Sequence, residues 1–314
     1  MFYVSTFGGS ASAWFAMAMS LHPRIVCFHG SRSLPPAPPG ELADLTPEEY
    51  ARGLHHMFAA CRRTTLFGAI HGFEGLSAKA AFEAEKGAFV ALVRHPVRRI
   101  HSLFHTYAAT VENYAWTGDD PYSPLRGARW QDVEPTVTRD GIGLHPIAER
   151  FHQLCHGTVS GDVACIAALP FEDVLVQERL TTDPEYFARA FRRLVAPFHR
   201  AQALAYAVEP DPDYLAAVFA AGRDNVRVGL HDPTEDIFAA WPPLFRTIFV
   251  LCLKANGGAG AFEAYHRIGY RLPAELYNVD YARTARGLWA GVLGRIEAQR
   301  LDDSAYAPTP PEED

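Results

Sequence analysis

A run of six apolar residues, Ala88–Val93 (AFVALV), constrains the fold more than any other stretch of the chain. A strand that is apolar at every position is typical of a parallel sheet covered on both faces. Other apolar runs at residues 1–5, 24–28 and 64–70 alternate with segments of helical period, such as residues 97–111. We therefore predict an α/β fold in which a central parallel sheet is flanked by helices.

The size and composition of the chain limit what kind of protein it is. Its 314 residues are enough for one large domain or two small ones, and a composition of 48% hydrophobic and 21% charged residues is that of a globular chain. Of these alternatives we predict one domain, over residues 1–300. Residues 301–314 are acidic and rich in proline, and we predict a disordered tail there. The net charge of −7 argues against a general nucleic-acid-binding protein.

Cysteine usage and hydropathy bear on the compartment. The five cysteines are scattered without a C-x-x-C pair, which is typical of structural thiols in a reducing compartment. The N-terminus lacks the features of a signal peptide, and no apolar run reaches the about 18–20 residues that a membrane span needs. We expect a cytoplasmic protein with no membrane span.

The first 21 residues have the pattern of a strand, a loop of small residues and a helix. The loop, residues 7–13 (FGGSASA), contains Gly8 and Gly9, whose lack of a Cβ lets the backbone approach an anion closely. The free N–H groups at the start of the following helix, together with the Ser10 and Ser12 hydroxyls, are then suited to bind phosphate or sulfate. The alternative is an ordinary strand-to-helix turn.

Basic residues follow the buried strand directly, in the stretch RHPVRRIHS. Arg94 comes at the carboxyl end of that strand, which is the edge where open α/β sheets bind ligands. Arg99 and Ser102 are three residues apart and share one face of the helix that begins at Pro96. Because arginine suits bidentate capture of phosphate, Arg94, Arg99 and Ser102 are predicted to form a second anion site. The alternative is a solvated basic helix edge with Arg94 in a salt bridge.

The middle of the chain is predicted to be irregular over residues 113–143, before a helix over residues 147–156. Strands are predicted over residues 163–169, over residues 174–176, or over both. A set of aromatic side chains in and before the irregular segment either lines a pocket for a sugar or another ring or anchors the loop: Tyr107, Tyr114, Trp116, Tyr122 and Trp130.

Three histidines around the predicted helix, His145, His152 and His156, together with Cys155, raise the question of a metal site. No carboxylate pattern completes such a site, so we interpret these residues as a solvated helix face. We expect no metal.

In order along the chain, these features resemble the sulfotransferases that use 3′-phosphoadenosine-5′-phosphosulfate (PAPS). The stretch VALVRHPVRRIHSLFHTY resembles the 3′-phosphate motif of that family, with Arg94 and Ser102 at its two phosphate ligands. The stretch FGGSASAWF resembles the 5′-phosphosulfate loop, which typically reads YPKSGTTWL or PRSGSTLL. Glu178 falls in a segment similar to an acidic family segment, and Arg227-Val228-Gly229 resembles the R-x-G segment that closes on the nucleotide. The matches run from about residue 2 to residue 241.

The resemblance implies a P-loop-like sulfotransferase fold and transfer of a sulfuryl group from PAPS to a hydroxyl or amine of a small-molecule or carbohydrate acceptor. His71 matches the place of the family's catalytic histidine and is the predicted base, with Glu74 and His105 in reserve. The residues implied to bind the nucleotide are Gly8, Gly9, Ser10, Ala11, Ser12, Ala13, Trp14, Arg94, Arg99, Ser102, Arg227 and Gly229.

One position departs from the family pattern. The family usually has Lys or Arg just before the loop serine, where this chain has Gly9. The cations considered as replacements are Arg32, Lys79, Arg98 and Arg99. The departure keeps open a non-catalytic nucleotide-binding protein on the same fold. A phosphoryl-transferring P-loop enzyme is disfavoured, because the chain lacks G-x-x-x-x-G-K-[ST].

Overall fold

The computed structural model describes residues 1–30, 32–34, 45–113, 136–138, 141–143, 146–200, 206–223, 233–257 and 259–277. The strands in these ranges are β1 Phe2–Ser5, β2 Ile25–His29, β3 Leu66–Ile70, β4 Ala88–Val93, β5 Thr136–Thr138, β6 Gly141–Gly143 and β7 Val174–Val176. The helices are α1 Ser12–Ser20, α2 Pro47–Ala60, α3 Lys79–Ala84, α4 Pro96–Asn113, α5 Pro146–Ala168, α6 Gln177–Thr182, α7 Pro184–Arg200, α8 Pro212–Arg223, α9 Thr234–Ala240, α10 Pro243–Ala255 and α11 Ala259–Arg267.

A parallel sheet of five strands lies at the centre of the described structure, in the order β2-β3-β1-β4-β7. Helices flank it, so the predicted α/β class with a central parallel sheet is confirmed. The predicted strands at the N-terminus and at residues 24–28, 64–70, 88–93 and 174–176 are all present, within two residues at either end. Because every strand runs the same way, their carboxyl ends meet at one edge.

The central strand β1 is buried at all four positions, as expected for a strand with neighbours on both sides. Phe2 pairs with Gly68 of β3 and with Ala88 of β4. A Cβ at Gly68 would lie 2.1 Å from the Phe2 ring, so the glycine makes room for that ring within the sheet.

The helix α2 begins as its sequence predicts. Thr46 accepts a hydrogen bond from the Glu49 N–H, and the Glu49 carboxylate accepts one from the Thr46 N–H. This reciprocal pair satisfies two N–H groups that the first turn leaves without partners.

The prediction of a strand over residues 163–169 is wrong. These residues continue α5, which is 23 residues long and ends at Ala168. The apolar run VACIAAL is buried only on one face, at Cys165, Ile166 and Leu169, while Ala164, Ala167 and Ala168 are exposed. This alternation of buried and exposed residues follows the helical period. The helix α5 packs against α4, α10 and α11.

The segment over residues 113–143 is not irregular throughout. Thr136–Thr138 and Gly141–Gly143 form a two-stranded antiparallel pair, in which Val137 lies opposite Ile142. The β-branched Thr-Val-Thr sequence favours an extended backbone there. The other residues between 114 and 145 lie outside the described part of the chain.

Within the described residues, no single helix has the length and apolar character needed to cross a membrane. Only α9 and α10 together satisfy that criterion, and they are bent by 117° relative to each other.

Candidate functional site

The loop between β1 and α1 lies at the carboxyl edge of the sheet. Gly9 has φ 77°, and Ala11, which precedes the helix, has φ 56°, a left-handed conformation that is costly for a residue with a Cβ. Within the described residues, the backbone N–H groups of residues 9–14 have no acceptor in the protein. Strain and unpaired donors at a helix N-terminus are the features of an anion-binding loop.

Two arginines hold the carbonyl groups of this loop. Arg94 Nη1 donates to the Gly9 carbonyl at 2.7 Å, and Arg99 Nε donates to the Gly8 carbonyl at 3.0 Å. In a trans peptide the N–H points opposite to the carbonyl, so the N–H groups of Gly9 and Ser10 face away from the arginines. The loop N–H groups and the two arginines therefore lie on opposite sides of these peptide planes.

Arg94 follows β4 immediately, as predicted, and is only 8% exposed. Its Nε has no hydrogen-bond partner, although it is buried. Burial lowers the pKa of the guanidinium, while Glu178 opposes that shift. A buried cationic donor without a partner is suited to bind an anion such as a phosphate.

Glu178, at the start of α6, lies close to this arginine. Its carboxylate accepts from the His95 N–H at 3.2 Å and from the Tyr270 hydroxyl. Tyr270 also lies 3.1 Å from the carbonyl of Val93, the last residue of β4. The carboxyl end of β4 is thus fixed by contacts from α6 and from the segment after α11.

Arg99 is completely buried and supports the loop from within the protein. Its Nη1 donates to Asp162 of α5 at 2.7 Å, and the Tyr265 hydroxyl donates to the other oxygen of that carboxylate at 3.2 Å. Burial raises the pKa of Asp162 to about 6, although Arg99 opposes that shift. Arg99 also lies 5.1 Å from the Phe7 ring centroid. In this arrangement its nearest partners are all protein groups, and contact with a nucleotide stays a prediction.

The loop hydroxyls have different partners. Ser10 is buried, and its Oγ donates to the Phe7 carbonyl at 3.3 Å, which braces the loop. Ser12 Oγ lies 2.9 Å from His29 Nε2. Ala13 is exposed at the first turn of α1, while Trp14 is buried against Phe187.

Ser102 lies half-buried on α4. The next residue, Leu103, packs against the loop, since a Cβ at Gly8 would lie 3.2 Å from its Cδ2. The turn of α4 that carries Ser102 therefore borders the loop.

His71 follows β3 with φ 61°, a strained conformation for this residue. Its Nδ1 lies 3.1 Å from the Thr6 carbonyl, which can only accept, so Nδ1 carries the proton. The neutral ring then has its lone pair on Nε2, which leaves that atom able to take a proton from a substrate.

A second histidine, His29, belongs to the site and was missed by the sequence analysis. Its ring centroid lies 5.9 Å from that of His71, and its Nε2 is the atom that contacts Ser12. Partial burial lowers the pKa of His29, and the electrostatic interaction with His71 lowers it further. The position of His29 at the end of a predicted strand could have indicated it. In the structure His29 pairs with Ile70, which precedes His71.

The proposed replacement cations have other partners. They are Arg32, which donates to the Gly72 carbonyl at 2.6 Å, Lys79, which pairs with Glu83, and Arg98, which donates to the Thr234 hydroxyl at 3.0 Å. Glu74 is exposed in the loop after β3.

Several predicted residues lie outside the described part of the chain: Arg227, Gly229, Tyr114, Trp116, Tyr122, Trp130, His145 and the tail over residues 301–314, together with the side chains of His105 and Tyr107. Among the described residues, no group of three or more His, Cys, Asp or Glu side chains is arranged to hold a metal ion.

Comparison with known proteins gives one structural likeness to report. No family model matches the chain, and no curated protein matches it. The chain is similar to the mouse sulfotransferase SULT7A1 in its crystal structure complexed with PAP. The likeness covers 84% of this chain and 88% of that chain, with a TM-score of 0.41 and 12% sequence identity. It is a likeness of fold, and no argument about the chemistry of this chain rests on it.

Proposed function

We propose that this protein transfers a sulfuryl group from PAPS to a hydroxyl or amine group of a small-molecule or carbohydrate acceptor. The observation that supports the proposal is a pair of unpaired donor groups at one edge of the sheet, each of which is suited to bind an anion. One consists of the unpaired N–H groups of residues 9–14, and the other is the buried, unpaired Nε of Arg94. A nucleotide with separate 5′ and 3′ phosphate groups matches two such sites.

The roles follow from the resemblance and from the positions of the side chains. The loop binds the 5′-phosphosulfate through its backbone donors, and Arg94 with Ser102 binds the 3′-phosphate. His71 Nε2 takes the proton of the acceptor, because Nδ1 is occupied by the Thr6 carbonyl. As the acceptor oxygen or nitrogen bonds to sulfur, the bond from sulfur to the 5′-phosphate oxygen breaks.

A non-catalytic nucleotide-binding protein is the second candidate, and the observation that favours it is the absence of a charged side chain at Gly9. Loss of a positive group from such a site typically costs orders of magnitude in rate. Nucleotide binding without transfer to any member of a broad acceptor panel would support this candidate. The predicted cytoplasmic location stays a prediction.

The proposal is tested by titrating the protein calorimetrically with 3′,5′-adenosine bisphosphate, with ATP as the comparison ligand. We expect binding of the bisphosphate and little or no binding of ATP. Arg94→Ala should weaken bisphosphate binding by about tenfold to a hundredfold, because a hydrogen bond to a charged phosphate is lost. Arg94→Lys should fall between the two, since lysine keeps the charge but loses the planar fork.

Arg24→Ala is the matched control, because Arg24 precedes β2 at the opposite edge of the sheet and lies over the Tyr206 ring. Its affinity should equal that of the wild type. Unchanged affinity in a folded Arg94→Ala protein, or preference for ATP, would contradict the proposal. Circular dichroism of each variant separates loss of binding from loss of fold.

A further inference from the structure

The loop position that carries a positive charge in the resembling family cannot readily carry one here. Gly9 has φ 77°, and a Cβ built on it would lie 2.8 Å from Leu103 Cγ. Its carbonyl is also held by Arg94. Three of the cations considered as replacements are bonded elsewhere: Arg32 to Gly72, Lys79 to Glu83 and Arg98 to Thr234. The fourth, Arg99, holds the Gly8 carbonyl of the loop, and its charge is paired with Asp162.

Among the described residues, the ionisable side chain of His29 contacts a hydroxyl group at the start of α1. Its Nε2 lies 2.9 Å from Ser12 Oγ. Ser12 is buried at the first position of α1, where the backbone N–H groups are unpaired, whereas His29 keeps part of its surface in contact with solvent. A hydroxyl both donates and accepts, so Ser12 is able to accept from His29 while it donates to an anion in the loop.

We propose that His29 is a positioning residue that supplies the missing positive charge through Ser12. In this arrangement the imidazolium Nε2–H donates to Ser12 Oγ, and the Ser12 proton turns toward the anion. The inference rests on the proposed function, since the anion is the 5′-phosphate group of the nucleotide.

The reaction then balances without a basic residue at position 9. The acceptor oxygen bonds to sulfur while its proton passes to His71 Nε2. The bond between sulfur and the bridging oxygen breaks, and its electron pair stays on the 5′-phosphate. Ser12, charge-assisted by His29, donates a hydrogen bond to that phosphate as its negative charge grows.

Protonation of His29 links nucleotide binding to pH. The titratable group beside it is His71, at the end of the neighbouring strand. Arg32 follows His29 by three residues in the sequence, and its side chain contacts the Gly72 carbonyl. Burial and His71 lower the pKa of His29 in the free protein. A bound anion favours the imidazolium and raises that pKa, so binding takes up a proton. The affinity contributed by His29 is therefore full at low pH and is lost as pH rises through the pKa of the complex.

The test is the affinity for 3′,5′-adenosine bisphosphate measured by calorimetry between pH 5.5 and pH 8. His29→Gln keeps a neutral donor at the position of Nε2 but cannot become charged. At pH 6 we expect His29→Gln to bind about tenfold more weakly than the wild type, and at pH 8 within about twofold of it. Ser12→Ala should lose the same pH-dependent part of the affinity for the bisphosphate. His56→Gln, an exposed histidine on α2, should match the wild type at every pH.

The phosphate groups of the bisphosphate also titrate in this pH range. Because the same ligand is used with every variant, this effect cancels in the ratio of the affinities. A purely structural role for His29 predicts either no loss or the same loss at every pH, and either outcome overturns the inference. As a second readout, the pKa of the His29 ring from NMR should rise when the bisphosphate is added, and an unchanged or lower value overturns the inference as well.

The outcomes also separate this inference from the proposed function. Binding that depends on Arg94 but not on His29 leaves the sulfotransferase proposal standing and removes His29 from it. No binding by the wild type removes both.

Discussion

Gly9 stands where the resemblance places a basic residue, and its surroundings give a steric reason for glycine. The left-handed φ and the contact with Leu103 both oppose a side chain there. A simple reintroduction of lysine at this position would therefore test the packing of α4 against the loop rather than the charge of the site.

We predict that Gly9→Ala destabilises the protein by about 2 kcal/mol or more, because it combines a left-handed alanine with overpacking against Leu103. Gly9→Lys should be at least as destabilised and should not gain activity. Urea denaturation measures the stability of both variants. Gly157→Ala is the matched control: Gly157 lies in α5 with no atom within 4 Å of an added Cβ, so alanine should be neutral or stabilising. Equal stability of Gly9→Ala and the wild type would contradict the steric account.

Single residues at strand ends were predictable from the sequence, but their partners were not. Arg94 and His71 could be placed because each follows an apolar strand, and parallel strands end at one edge. Arg99 was predicted as a nucleotide ligand from its spacing to Ser102. Its burial depends on Asp162, which lies 63 residues further along the chain, and no local pattern reveals such a pairing.

At the level of elements, the segment after α11 returns to the end of β4. His95 Nε2–H donates to the Arg271 carbonyl at 2.8 Å, and the His95 ring lies 5.3 Å from that of Tyr270. His95 Nδ1 is buried with no partner among the described residues. Protonation of this ring would therefore bury a charge at the junction.

This junction predicts a pH dependence of stability. Burial lowers the pKa of His95, despite the opposing effects of the Arg271 carbonyl and Glu178. The folded protein then binds fewer protons than the unfolded chain, whose histidines have a pKa of about 6.5. The stability that depends on a neutral His95 is fully present above a pH of about 6.5 and is lost as the pH falls below that value.

The measurement is the free energy of unfolding in urea at pH 7, 6 and 5 for the wild type and His95→Gln, which keeps the donor to Arg271. The wild type should lose stability more steeply on acidification than the variant. Parallel curves would show that His95 is not buried in its neutral form.

The hydrophobic pattern identified a helix or a strand correctly where it was compatible with only one of the two. The run Ala88–Val93 is short and apolar throughout, and it forms the strand β4. The run at residues 163–169 is equally apolar, but its alanines face solvent, and only packing of α5 against other helices shows that it is helical. Alanine is compatible with either face, so the sequence did not separate the two structures.

In the molecule as a whole, the candidate site is divided between two pairs of strands. β1 and β4 supply the anion loop and Arg94, whereas β2 and β3 end in His29 and His71. The sheet order brings these ends together, although the strands lie far apart in sequence. In the proposed function, the nucleotide is bound by groups of β1 and β4 together with His29 of β2, whereas the acceptor proton is removed by His71, which follows β3.

This division predicts that His71→Asn separates binding from transfer. Asparagine tolerates the left-handed conformation and keeps a donor near the position of Nδ1 for the Thr6 carbonyl, but it has no basic nitrogen. Affinity for 3′,5′-adenosine bisphosphate should stay within about twofold of the wild type. Transfer of labelled sulfuryl from PAPS to an acceptor found by screening should fall by about 10²–10⁴. His56→Asn, exposed on α2, should retain both properties. Full transfer by His71→Asn would assign the base to another residue, whereas a matching loss of nucleotide affinity would mean that the two halves of the site are not independent.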